Sequence, residues 1–185
     1  MTIAMIQFSM TYRIKFLVFL FCVFTSCFAS TCVAATPGEV KEGGILREAT
    51  LYGFTGDVVK LSKFRGKPLI INVWASWCPP CRAEMGSFER LYRRYGESKF
   101  TLIGISTDDD SNAALNFLFK EGLTFANYGD YRLTMENMLG ADTIPLTLLI
   151  DSNGKILKKI RGFHQWDSDE TIRMLEQVFS INLGK

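Results

Sequence analysis

Histidine is almost missing from this chain: His164 is the single one among 185 residues. A structural zinc site gathers four nitrogen or sulfur ligands, and one histidine with one close cysteine pair does not complete such a set. Cysteine is scarce as well. Of five, Cys22, Cys27 and Cys32 fall in the first 35 residues, leaving only Cys78 and Cys81 in the body. One close pair excludes a framework of disulfides stapling distant loops. Haem attachment through Cys-x-x-Cys-His is excluded because Arg82 follows Cys81. An excess of either charge is also lacking. Without Arg13 and Lys15 near the N-terminus, 19 basic residues stand against 19 acidic ones. A neutral body gives no electrostatic reason to expect nucleic acid as a partner. The two local basic clusters, Arg90/Arg93/Arg94 and Lys155/Lys158/Lys159/Arg161, read as solvated faces.

What the chain does have begins with an N-terminal segment. Arg13 and Lys15 precede an apolar run from Phe16 to Phe24, and mostly small residues follow through Ala35. That order predicts export: residues 1–35 are a cleaved signal peptide or a retained membrane anchor, the apolar-to-small stretch being about one membrane span long. Phe24-Thr25-Ser26 ahead of Cys27 is a poor match to a lipoprotein signal. Export implies a periplasmic or otherwise extracytoplasmic location, where disulfides persist. Residues 36–46, small, polar and punctuated by Gly and Pro, read as a linker; residues 47–185 read as one domain.

Within the domain, 49–52 and 57–61 flank Gly53-Phe54-Thr55-Gly56 as a β-hairpin. Apolar runs at 69–74, 100–106 and 146–151 read as buried strands. Ser152-Asn153-Gly154-Lys155 turns the last of them into a strand over 156–161. A helix after Cys81 carries Met85, Phe88, Leu91, Tyr92 and Tyr95 on one face and stops at Gly96. Asp108-Asp109-Asp110 reads as the capping start of a helix over 112–120 rather than as a metal cluster. A short strand at 123–126, a helix at 131–139 and a final helix capped by Asp167 to Glu170 complete an α/β three-layer domain with a mixed sheet.

The chemistry concentrates where the strand 69–74 hands over to a helix at Cys78-Pro79-Pro80-Cys81. Proline suits a first helical turn, where its missing N–H would have no partner. A thiol at that helix start meets unpaired N–H groups and the positive end of the dipole, which favour the thiolate. Two intervening residues bring the sulfurs within disulfide reach, so the pair reads as a redox motif. Cys78, the more exposed, attacks a partner disulfide, and Cys81 resolves the mixed disulfide. Pro79 and Pro80 deprive Cys78 of two N–H donors. This predicts a thiol near its free acidity and a pair that works as a reductant.

The block Trp74-Ala75-Ser76-Trp77-Cys78-Pro79-Pro80-Cys81-Arg82-Ala83-Glu84-Met85 resembles the active-site block of TlpA-like thiol-disulfide oxidoreductases, which include ResA-type and DsbE/CcmG-type members of the thioredoxin superfamily. The resemblance spans residues 47–182 and includes Phe64-Arg65-Gly66-Lys67, Ile144-Pro145 and the run Leu148 to Gly154. It implies a thioredoxin-like fold, with 106–140 holding an inserted helix–strand segment. It implies a cis-proline at Pro145 facing the cysteines, with Ile144 offering backbone groups to a partner segment. It further implies that Glu84 exchanges a proton with Cys81. Asn72 stands where plain thioredoxin has a buried Asp, and Trp77 is expected to shield the pair. The implied partners are protein disulfides, with cytochrome c maturation as one setting, and an upstream membrane thiol reductant. No cofactor and no metal are called for.

Two other readings compete. A peroxidase of the peroxiredoxin kind needs Pro-x-x-x-Thr-x-x-Cys, and Ile71 and Ala75 stand where Pro and Thr belong relative to Cys78. A copper-binding module would use both thiols as soft ligands with a further Met or His, and the nearby Met85 falls on the apolar helix face.

Overall fold

The computed structural model describes residues 36–96 and 98–184, so the expectations for residues 1–35, including Cys22, Cys27 and Cys32, lie outside the described residues. Among those described, no helix is long and apolar enough to cross a membrane.

The run Leu69–Trp74 (β3) is buried at every position, because it is an interior strand of a seven-stranded sheet with helices on both faces. It pairs in parallel with β4 (Thr101–Ser106) and antiparallel with β6 (Leu146–Ile150). Adding β1 (Thr50–Gly53), β2 (Val58–Lys60), β5 (Ala126–Gly129) and β7 (Ile156–Arg161) gives the order β2-β1-β5-β4-β3-β6-β7. The sheet is mixed: β3, β4 and β5 run parallel and the others antiparallel to their neighbours.

Alternation along β3 sorts the two cores. Ile70 and Trp74 enter a cluster with Phe88 and Leu91 of α1 (Pro79–Tyr95), Phe117 of α2 (Ser111–Lys120) and Leu175 of α4 (Asp169–Phe179). Leu69, Ile71 and Val73 enter a second cluster with Met135, Met138 and Leu139 of α3 (Thr134–Leu139). Helices thus cover both faces, the three-layer α/β arrangement expected.

Several local readings shift. The segment 36–46, read as a linker, is laid against the domain. Val40 N–H donates to Met138 O at 2.9 Å, Gly43 N–H to Ile156 O at 2.8 Å and Leu46 N–H to Gly154 O at 2.9 Å. Val40 and Leu46 are buried, and Glu39 pairs with Lys159. The two apolar side chains anchor a stretch that looks polar on average. Lys159 therefore belongs to a nearly buried ion pair rather than to a solvated face. Arg90, Arg93 and Arg161 also pair, with Asp167, Glu89 and Asp142, but their side chains stay largely exposed, as a solvated face requires.

Strand β5 begins at Ala126 instead of Leu123. Thr124 is held by Glu89 through its N–H and hydroxyl, so pairing with β4 starts only at Ala126. Helix α3 begins at Thr134 because the carboxylate of Asp130 accepts the N–H groups of Thr134 and Glu136, a cap four residues upstream. Gly96 does end α1, but with φ −57°, outside the left-handed region. Glycine is required there because a Cβ would lie 2.3 Å from the Tyr92 ring.

Candidate active site

After β3 the chain turns through Ala75-Ser76-Trp77, and one carboxylate holds that turn. Asp108, buried beyond the end of β4, accepts Ser76 N–H at 2.9 Å and Ser76 Oγ at 2.6 Å, and Ser106 Oγ at 2.8 Å. Of the three consecutive aspartates only Asp110 caps α2, through Asn112 N–H. Asp108 instead fixes the approach to the cysteines.

Cys78 then occupies the N-cap of α1, with Pro79 and Pro80 as the first two helical residues. The cysteines are joined, S–S 2.04 Å, with Cα atoms 5.3 Å apart. Cys78 Sγ accepts the Cys81 N–H at 3.3 Å, as a capping side chain would. One donor therefore survives behind the two prolines, which partly offsets the loss that their sequence implies. Arg82 does not supply another, because its guanidinium lies over the Phe117 ring, 5.6 Å from the centroid. Both sulfurs are recessed: Cys78 is 3 % exposed and Cys81 fully buried, whereas Trp77 beside them is 66 % exposed.

Opposite the pair, the Ile144–Pro145 peptide is cis. Ile144 O lies 3.9 Å from Cys78 Sγ, and Pro145 O accepts Gly162 N–H at 2.9 Å, tying the loop before β6 to the loop after β7.

One helical turn beyond Cys81, Glu84 is fully buried. Its Oε1 accepts from Asn72 Nδ2 at 2.8 Å; its Oε2 accepts from His164 N–H at 3.1 Å and Trp166 Nε1 at 3.2 Å. Burial pushes its pKa up to about 7, against the pull of those three hydrogen bonds. It is therefore not the solvated helix charge that a glutamate on a surface helix would be. A carboxyl that titrates near neutrality, one turn beyond Cys81, is suited to accept and return a proton.

The sequence matches the Redoxin family over residues 41–175. The chain belongs to the redoxin family. Among curated proteins, this redoxin is similar to the thiol-disulfide oxidoreductase ResA of Bacillus thuringiensis subsp. konkukian, 32 % identical over 107 residues, 58 % of this chain and 62 % of the relative. The ResA of Geobacillus thermodenitrificans is 31 % identical over 123 residues, 66 % of this chain and 71 % of the relative. The chain thus spans somewhat less than two thirds of the length of ResA relatives such as the Bacillus thuringiensis protein. Among solved structures, a DsbE-type thiol:disulfide interchange protein from Chlorobium tepidum superposes with TM-score 0.69 at 28 % identity. It covers 79 % of this chain and 100 % of its own. StoA from Bacillus subtilis, TM-score 0.58 at 22 % identity over 65 % of this chain and 91 % of its own, shares the fold.

In this redoxin, Ile144 and the cis Pro145 face the Cys78–Cys81 disulfide, Trp77 precedes it in the chain, and Glu84 follows Cys81 by one helical turn. Sequence reading missed three of its supports. Trp166 is fully buried, stacked on Phe88 with ring centroids 4.6 Å apart, and brings its indole N–H to Glu84. Thr147 and Asp108 come from β6 and from beyond β4. No local pattern marks any of them, since each meets its partner only through the fold. A usable clue was the tryptophan in the short loop ahead of α4, too large to leave unburied without reason.

Proposed function

We propose that this chain is an extracytoplasmic thiol-disulfide oxidoreductase that reduces protein disulfides. The observation that carries the reading is the joined cysteine pair at the start of α1, with a buried carboxyl one helical turn further on. In the reduced protein the Cys78 thiolate bonds to one sulfur of a partner disulfide, expelling the other as a thiolate that takes up a proton. Cys81 gives its proton to the Glu84 carboxylate and attacks Cys78 Sγ. The mixed disulfide breaks and the second partner sulfur leaves, protonated in turn. Two electrons pass to the partner, and the pair becomes the disulfide described above. An upstream membrane dithiol restores it.

Pro145 and the Ile144 backbone line the approach to Cys78, and Trp77 offers an exposed aromatic face to the partner segment. The N-terminal segment exports the chain and, if retained, tethers it. Cytochrome c maturation is one setting in which such a reductant works.

The test is reduction of insulin disulfides. The wild-type protein should be active, Cys78→Ser inactive, and Cys81→Ser should accumulate a mixed disulfide whose partner mass spectrometry identifies. Full activity in Cys78→Ser would refute the reading. A redox titration should give a reducing pair; a potential near −120 mV, that of a strong oxidant such as DsbA, would overturn the assigned direction.

A further inference from the structure

Asn72 lies within β3 and is wholly buried, with its NH2 group shared between Glu84 Oε1 at 2.8 Å and Thr147 Oγ1 at 3.1 Å. Its carbonyl oxygen Oδ1 is also buried and has no hydrogen-bond partner. Orphaned polar atoms of this kind are rare and call for a physical reason. That position has no partner whichever end of the amide occupies it, so the choice between the two ends is set by the two partners of the NH2 group. A threonine hydroxyl both accepts and donates, and a carboxyl oxygen donates once it is protonated. Rotation of the amide by half a turn about Cβ–Cγ would place Oδ1 where Nδ2 now stands. There it would face two hydroxyl donors, Thr147 Oγ1–H and a protonated Glu84. The other carboxyl oxygen, Oε2, already takes two N–H donors from His164 and Trp166, so the acid proton belongs on Oε1, the side that Asn72 faces.

We propose that Asn72, anchored by Thr147, is a two-position amide that presents its NH2 to the Glu84 carboxylate and its C=O to the Glu84 acid, and so lets the buried carboxyl hold either charge. Asn72 is a positioning residue: it touches neither sulfur and acts through Glu84. The role of Glu84 in proton transfer gives this device its place in the reaction, but the coupling itself operates in the oxidised protein. An aspartate at this position would set two carboxylates against each other across the same short contact, and they would share one proton. A leucine would favour the neutral acid alone. The hydrogen bonds to Glu84 come from neutral donors on β3 and on the loop after β7. The titratable groups on the surrounding elements are Cys81 on α1, oxidised here, and the His164 imidazole, whose ring centroid lies 5.4 Å from that of Trp166.

The experiment titrates Glu84 in the oxidised full chain, where the cysteines do not ionise, by infrared difference spectroscopy with ¹³C-labelled glutamate, Glu84→Gln identifying the band. Asn72→Leu should move the midpoint up by about one pH unit, a tenfold change. Thr147→Val should move it in the same direction by less, and Thr147→Ser should restore it. Asn72→Asp should spread the titration into two steps. The Asn72 side-chain NH2 resonances should shift with the wild-type midpoint and stay fixed in Glu84→Gln. Wild-type titrations in folded Asn72→Leu and Thr147→Val, or Asn72 resonances indifferent to pH, would overturn the proposal; if Asn72→Leu does not fold, the threonine pair decides. A catalytic pH profile unchanged in Glu84→Gln would reject the proton role of Glu84 while leaving these titrations standing.

Discussion

Glu84 shows how burial and hydrogen bonding compete at one side chain. Three donors favour its charged form, yet the loss of water outweighs them and its pKa rises to about 7 from 4.5. A carboxyl with a raised folded-state value binds its proton more tightly in the native protein. Its contribution to stability is complete below about pH 4.5 and is lost as pH rises through 7. The oxidised protein should therefore lose up to about 3 kcal/mol between those limits, and Glu84→Gln should flatten that slope in denaturant titrations at several pH values. In catalysis, Glu84→Gln should slow the resolving step and remove an inflection near neutral pH from the rate profile. At this scale the cysteine pair was legible because its chemistry is written in two adjacent turns of chain. The surroundings of Glu84 were not. Its partners Asn72, His164 and Trp166 arrive from 12, 80 and 82 residues away, and no spacing rule reaches so far.

Elements with strong local signals were readable: the wholly apolar β3, the proline start of α1, the Asn-Gly turn between β6 and β7, and the Ser168 cap of α4, whose oxygen accepts Thr171 N–H. Boundaries went astray where a distant group decides them, as Asp130 does for α3 and Glu89 for the start of β5. The turn between β3 and α1 belongs to the same class, because its shape depends on Asp108. Asp108→Ala would leave Ser76 N–H and two hydroxyls without their acceptor. The expected outcome is a loss of about 2–4 kcal/mol in stability together with slower attack by Cys78, measured by denaturant unfolding and by the rate of mixed-disulfide formation. Ser168→Ala should cost about 1 kcal/mol and leave that rate unchanged.

For the whole molecule, the mixed sheet and its layers followed from the order of buried and capped segments. What composition could not reveal was that residues 36–46 belong to the body, since two buried side chains and a handful of backbone hydrogen bonds decide it. A chain starting at Thr36 should keep the thermal midpoint of a longer one. A chain starting at Arg47 should melt about 10 °C lower, having lost the buried Val40 and Leu46 and left Lys159 without Glu39; differential scanning calorimetry distinguishes the two.

The loops around the disulfide are fastened to one another: Pro145 to Gly162, Glu84 to His164, Ser76 to Asp108. Cys78, nearly closed off from solvent, sits behind this fastened rim. A nucleophile that cannot come forward leaves the travelling to its partner. For the reductase proposed above, substrates should then be chosen by pliancy: a disulfide on a slack stretch of chain can be threaded in, and one locked inside a finished fold must wait until that fold opens.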